Sequence, residues 1–186
     1  LSISSLRYGQ GMKRLLALIA LLTATVFAAP VFEFDAPKAT WFVRNDGVMG
    51  GVSSSTVAVQ NGVLVFAGRI SLANGGGFAG IRTTLGRYDL SGASAVVIRV
   101  RGDGKRYALQ LGDNLVRGVT YRTDFATVAG QWLEVRAPFS AMRATRSGEF
   151  VRAAALRTDR VAFFGFITRH PRAELFKLEV DWIRAE

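Results

Sequence analysis

An all-β fold, two antiparallel sheets packed face to face as a sandwich or jelly roll, is what this sequence predicts, and three observations predict it. Apolar and polar residues alternate over many short runs, the period of a half-buried strand and not of a helix. Twenty glycines and thirteen phenylalanines, set against four lysines, favour tight turns and packed β surfaces over long solvated helices. The 186 residues, 49% of them hydrophobic, carry no internal repeat, linker or shift of composition, which makes one domain with a core of its own.

In chain order, residues 1–28 stand apart from the rest. The run "MKRLLALIALLTATVFAA" (12–29) reads as a signal peptide, with Lys13 and Arg14 ahead of an apolar block and small residues before a cut after Ala28. That block is shorter than the roughly 20 residues needed to span a bilayer, so membrane contact is expected only through the signal before cleavage. A periplasmic or secreted domain over 29–186 follows. A mitochondrial presequence is the alternative, since the segment holds serine and arginine and no acid.

Beyond it, "STVAVQNGVLVFAG" is the clearest hairpin, two alternating runs joined by Asn61-Gly62, which supplies the positive φ of a tight turn. A strand over 78–84 comes next. "AVVIRVRGDGKRYALQL" then reads as a second hairpin, with Val96, Ile98, Val100 and Tyr107, Leu109, Leu111 on one face across the turn Gly102-Asp103-Gly104. Strands over 118–125, 131–136 and 161–168 follow. The last, 175–183, alternates Phe176, Leu178, Val180 and Trp182 against Lys177, Glu179 and Asp181. That makes about ten strands. Helix is confined to a turn opened by Pro138 and one or two turns within 148–160.

The chemistry-bearing residues exclude more than they assign. A formal charge of +10 directs attention to nucleic acid, but the basic residues are mostly arginine spaced singly along the chain, so no nucleic-acid partner is expected. The absence of cysteine removes disulfides, thiolate metal sites and thiol nucleophiles. Gly75, Gly77 and Gly80 match a dinucleotide loop formally, yet the next residues are strand-like where that loop must open a helix. No cofactor is expected. His170 stands alone in a charged turn with nothing to indicate a serine partner and an orienting acid. Asp46, Asp103, Asp113 and Asp124 lie in or beside turns, where aspartate serves the backbone, so a hydrolase built on paired carboxylates is the weaker reading. A calcium site of carboxylates and carbonyls stays open.

Two features point to binding. The loop "WFVRNDGVMGGVSSS" (41–55) sets Asn45 and Asp46 as directed hydrogen-bonding groups, with Met49 beside them and glycines that allow close backbone approach. Trp41 would pack under this loop or stack on a ligand. If consecutive strands pair, Arg99, Arg101, Arg106, Gln110, Arg122 and Asp124 line one polar face, a groove for an acidic or polyhydroxylated ligand; separately, the glycine turn 74–80 running into its strand offers a ligand edge at Phe78 and Arg82.

The motif order Trp41 to Ser55, "GGFAGIRT" (76–83), "YDLSGASAVVIRVRGDGKRYALQL" (88–111), "YRTDF" (121–125), "FGFI" (164–167) and "FKLEVDWI" (176–183) resembles the complex I intermediate-associated protein 30 family over nearly the whole domain. The resemblance implies a galactose-binding-like jelly roll, and for mitochondrial members an assembly role exerted by binding protein partners without catalysis. The export signal is a departure from those members. The expectation is therefore a non-enzymatic binding domain that contacts a protein partner or a glycan. Its contacts would come from Trp41, Asn45, Asp46 and Met49 in the loop and from Arg82, Arg99, Arg101 and Arg122 on the strands.

Overall fold

The computed structural model describes residues 29–36, 39–113, 115 and 118–186; the signal segment and its cleavage site lie outside them. Among the described residues thirteen strands form two antiparallel sheets. They are β1 (Ala29–Glu33), β2 (Trp41–Val43), β3 (Ser54–Gln60), β4 (Val63–Arg69), β5 (Phe78–Thr83), β6 (Ala95–Gly102) and β7 (Arg106–Gly112). After these come β8 (Val119–Ala126), β9 (Trp132–Pro138), β10 (Arg143–Arg146), β11 (Glu149–Phe150), β12 (Phe163–Arg169) and β13 (Leu175–Ala185). The first sheet runs β3-β4-β13-β6-β9, with β1 also paired to β13. The second runs β11-β10-β8-β7-β12-β5-β2.

The sheets meet because each inner face is apolar at every second residue. Leu64, Phe66, Ile98, Val100, Leu178 and Val180 face Ile81, Leu109, Leu111, Phe164 and Phe166, all buried. Phe32, Trp41, Tyr88 and Phe164 add a cluster of tilted and edge-on rings at one end of the core. The Asn61-Gly62 hairpin forms as expected, with φ of 50° and 73° and Gln60 opposite Val63. Among the described residues no helix is long and apolar enough to cross a membrane.

The second expected hairpin is not one. β6 pairs with β13 and β9, whereas β7 pairs with β8 and β12, so residues 103–105 carry the chain from one sheet to the other. Val96, Ile98 and Val100 thus face Tyr107, Leu109 and Leu111 across the core and are not laid beside them. Alternation reports which side of a strand is apolar and is silent on whether the next strand lies beside it or opposite. Helix is as scarce as expected, with one 3₁₀ turn after Pro138 and one within 148–160. There β11 and an extended stretch are followed only by a single 3₁₀ turn, Thr158–Arg160. The segment spends its backbone bonds on neighbours: the Val151 amide donates to the Ala144 carbonyl, the Arg157 amide to Asp113, and the Leu90 amide to the Thr158 carbonyl.

Candidate functional site

The outer face of the seven-stranded sheet carries a rung in which Arg122 (β8), Gln110 (β7), Gly165 (β12), Arg82 (β5) and Phe42 (β2) are successive cross-strand partners. Three strand spacings separate the two arginines, roughly 14 Å at the backbone. At the centre stands Gly165, where a Cβ would meet the Ile81 carbonyl oxygen at 2.8 Å, and Gly80 on the neighbouring strand is close to the Arg44 carbonyl. The absent side chain at Gly80 leaves a trough beside this crowded point. It opens into a cavity of about 340 Å³ over Phe78, Gln110, Thr120 and Ile167, continuous with one of about 230 Å³ towards Arg82 and Phe163.

Two projections wall the trough. One is the turn Ser147-Gly148 between β10 and β11, held by left-handed φ values of 51° and 86°. The other is the 3₁₀ turn Asp46–Met49, which presents Val48 and Met49 at 71% and 59% exposure beside the cavity. Apolar side chains so exposed need a firm base, and Asp46 provides it. Its carboxylate is fully buried and accepts from the Ser53 hydroxyl (2.5 Å), the Ser53 amide (2.9 Å), the Gly77 amide (2.7 Å) and the Phe78 amide (3.3 Å). Burial alone would raise its pKa, but these donors outweigh it and hold the group below its ordinary 3.8. Asn45 adds a second clasp, donating to the Ser53 carbonyl and accepting from the Ser55 hydroxyl at 2.8 Å. Gly51 has to be glycine here, since a Cβ would press on the Asp46 carboxyl.

Arg82 shapes the narrow end. Its guanidinium lies 4.5 Å from the Phe163 ring centre and 5.5 Å from that of Phe42, and its buried Nε has no hydrogen-bond partner. Burial, and then the charge of Arg44, pull its pKa down. Arg44 and Arg169 line the cavity as well, and among the described residues none of these three has a carboxylate in ion-pair range. Arg122 differs, being paired with Asp124 by Nε at 2.8 Å.

Of the residues expected at a site, Met49, Arg82 and Arg122 therefore come together in the cleft, and Asn45 and Asp46 brace its wall from behind. Trp41 packs on Phe32, Phe34 and Phe166 with ring centres 5.7–6.1 Å apart, on the core side. Arg99 and Arg101 sit on the other sheet, which corrects the expectation of one continuous arginine-lined face; the cause is the sheet crossing at 103–105. There they pair with Asp181 and Glu179 and flank the Trp132 ring. Sequence reading missed Arg44, Arg169 and Gly165, since only the order β8-β7-β12-β5 makes them neighbours.

His170 is buried, with Nε2 2.6 Å from the Thr168 hydroxyl and Nδ1 3.0 Å from Glu174. The Thr168 hydroxyl also donates to the Arg106 carbonyl, and the group ties β12 to β13. Among the described residues no cluster of three or more His, Asp or Glu is placed to hold a metal ion.

Two antiparallel sheets with a cleft across one outer face define a galactose-binding-like jelly-roll domain. Its solved relatives include the family 11 carbohydrate-binding module of Clostridium thermocellum in complex with a β-1,3-1,4-mixed-linked tetrasaccharide, with a TM-score of 0.62 and 15% identity over 84% of this chain and 94% of that one. An agarase matches with a TM-score of 0.59 and 9% identity over 86% of this chain and 24% of the agarase. At such identities the likeness is one of fold. The model of the family "Complex I intermediate-associated protein 30" matches residues 31–180, and the chain belongs to that family. The mitochondrial complex I intermediate-associated protein 30 of Drosophila melanogaster is 28% identical over 183 residues, covering 84% of this chain; the chain spans 62% of that relative's length.

Proposed function

We propose that this chain is a non-catalytic binding domain that takes an extended polyhydroxylated chain, a glycan, in the cleft on the outer face of the seven-stranded sheet. The observation that carries the reading is the rung Arg122-Gln110-Gly165-Arg82. Its bare centre lies between side chains that donate directed hydrogen bonds, the form of a concave site that reads hydroxyl groups. Asp46 holds the wall and has no free oxygen to act as a base, which argues against hydrolysis there.

Titration calorimetry with a panel of neutral tetrasaccharides is the test. Saturable binding is expected, weakened about tenfold, or 1.4 kcal/mol, by Ile167→Trp, which fills the floor. The doubly substituted Arg99→Gln/Arg101→Gln protein, altered on the opposite sheet, is expected to bind as well as the parent. A blank panel, with no binding by the C6-oxidised forms of the same sugars either, defeats the reading.

Family membership favours a second reading, in which a protein partner docks over the same wall and cleft, as suits a relative of a protein named for its association with complex I intermediates. Cross-linking from a probe at Val48 separates the two, because only this reading places a polypeptide there. Export remains our proposal for the compartment, with the mitochondrial relative supporting the alternative. Mass spectrometry of the processed chain decides: a first residue at Ala29 in an exported fraction supports export, and a mitochondrial fraction retires it.

A further inference from the structure

We propose that the narrow end of the cleft, between Arg44 and Arg82, seats the anionic group of an acidic sugar, a carboxylate or sulfate, so that the ligand is an acidic and not a neutral glycan. The inference rests on the cleft reading above and adds the ligand's charge to it.

Charge allocation across the two sheets is the first argument. On the six-stranded sheet most outward arginines have an acid at hand, Arg99 with Asp181, Arg101 with Glu179, Arg136 with Glu186 and Arg184 with Glu33, with Arg69 at the end of β4 the exception. In the cleft Arg122 alone is paired, and Arg44, Arg82 and Arg169 face the trough without a carboxylate among the described residues. Three unpaired guanidiniums thus converge on one cleft.

Arg82 supplies the second argument. Its guanidinium is held in plane between Phe42 and Phe163, so a directed fork is already oriented and little rotamer freedom is lost on binding. Its Nε is out of water and unbonded, a state that costs free energy until an acceptor arrives. Arg44 nearby adds like charge, which a shared dianionic or bidentate group relieves. A single-stranded nucleic acid also carries negative charge, but it needs aromatic platforms on which bases stack. The floor offers one open ring, Phe78, among Gly80, Ile167 and Gln110, that of Phe163 being covered by the Arg82 guanidinium, too few for successive bases to stack.

The experiment compares each tetrasaccharide with its own C6-oxidised uronate form at low and moderate salt. The uronate form is expected to bind at least about tenfold more tightly, with the preference shrinking as salt screens it. Arg44→Gln, at an exposed position that leaves the core untouched, is expected to abolish the preference while the neutral form binds within about threefold of the parent; Arg82→Gln is expected to abolish the preference and, because Arg82 belongs to the rung, to weaken the neutral form as well. Arg82→Lys, which keeps the charge and loses the fork, is expected to recover only part of it. Equal binding of neutral and uronate forms overturns this inference and leaves the cleft reading standing. Absence of binding by either form overturns both. A preference that survives both glutamine variants, or an oligodeoxythymidylate bound as tightly as the uronate chain, overturns the acidic-sugar assignment alone.

Discussion

Asp46→Ala is expected to cost about 3–5 kcal/mol of stability, because three buried amides and a hydroxyl lose their common acceptor at once. For a chain of this length that lowers the midpoint of thermal unfolding by roughly 10 °C. The loss is larger than for an ordinary surface aspartate because water cannot replace the carboxylate: Asp46 is fully buried and the Gly77 and Phe78 amides at the start of β5 point inward at it. Asp46→Asn keeps the shape and one acceptor oxygen but turns an amide donor towards other donors, and roughly half of the loss is expected. Ligand affinity should fall further than stability in both variants, since Val48 and Met49 lose their base. Chemical denaturation gives the first quantity and calorimetry with the tetrasaccharide panel of the proposed cleft reading the second. Unaltered stability in Asp46→Ala would remove the bracing role.

Acid exposes the same anchor. The Asp46 pKa is held below 3.8 in the folded chain, so its contribution is complete above pH 3.8 and disappears as pH falls through the folded value. His170 acts at higher pH. Burial pulls its pKa below 6.5, Glu174 opposing, so the unfolded chain takes up the proton first and stability declines as pH drops from 6.5 towards the folded value. Melting temperature against pH is expected to show two descents, and His170→Gln should flatten the upper one while Asp46→Asn flattens the lower.

The sequence reveals strands and faces far better than it reveals neighbours. Asn61-Gly62 marks its hairpin because the turn itself demands positive φ, a requirement that a local reading can see. Gly102-Asp103-Gly104 bears the same turn signature and joins two sheets. What decides is whether Ile98 finds its partners beside it or across the core, and no local pattern carries that. The candidate site suffers from the same gap. Met49, Arg82 and Arg122 are visible as exposed side chains in a loop and on polar strand faces, whereas Arg99 and Arg101 look identical in sequence and lie on the opposite face. Asp46 shows the converse: an Asx residue before Gly47 suggests a turn satisfied locally, and its donors at Gly77 and Phe78 stand 31 and 32 residues away.

The crossing at 103–105 makes a second anchor testable. Asp103 accepts from the Lys105 ammonium at 2.9 Å, the Tyr107 hydroxyl at 2.9 Å and the Lys177 amide at 3.0 Å, so one carboxylate joins the end of β6, the start of β7 and the edge of β13. Burial would raise its pKa, and these donors hold it low instead. Thr127 closes the corner from the other side, accepting from the Gly104 amide and donating to the Lys105 carbonyl. Asp103→Ala is therefore expected to cost about 2–3 kcal/mol, more than a hairpin aspartate bonded only within its own turn, whose loss costs about 1 kcal/mol. Tyr107→Phe should cost about 1 kcal/mol, since the one hydroxyl proton is shared between Asp103 and the Lys177 carbonyl. The two residues share one bond, so the double variant should lose less than the sum of the single ones. Additive losses would mean that Asp103 acts through Lys105 and Lys177 alone. A cost near 1 kcal/mol for Asp103→Ala would mean that the corner is held by packing of Tyr107 and Phe125, whose rings stack 6.1 Å apart, and not by the carboxylate.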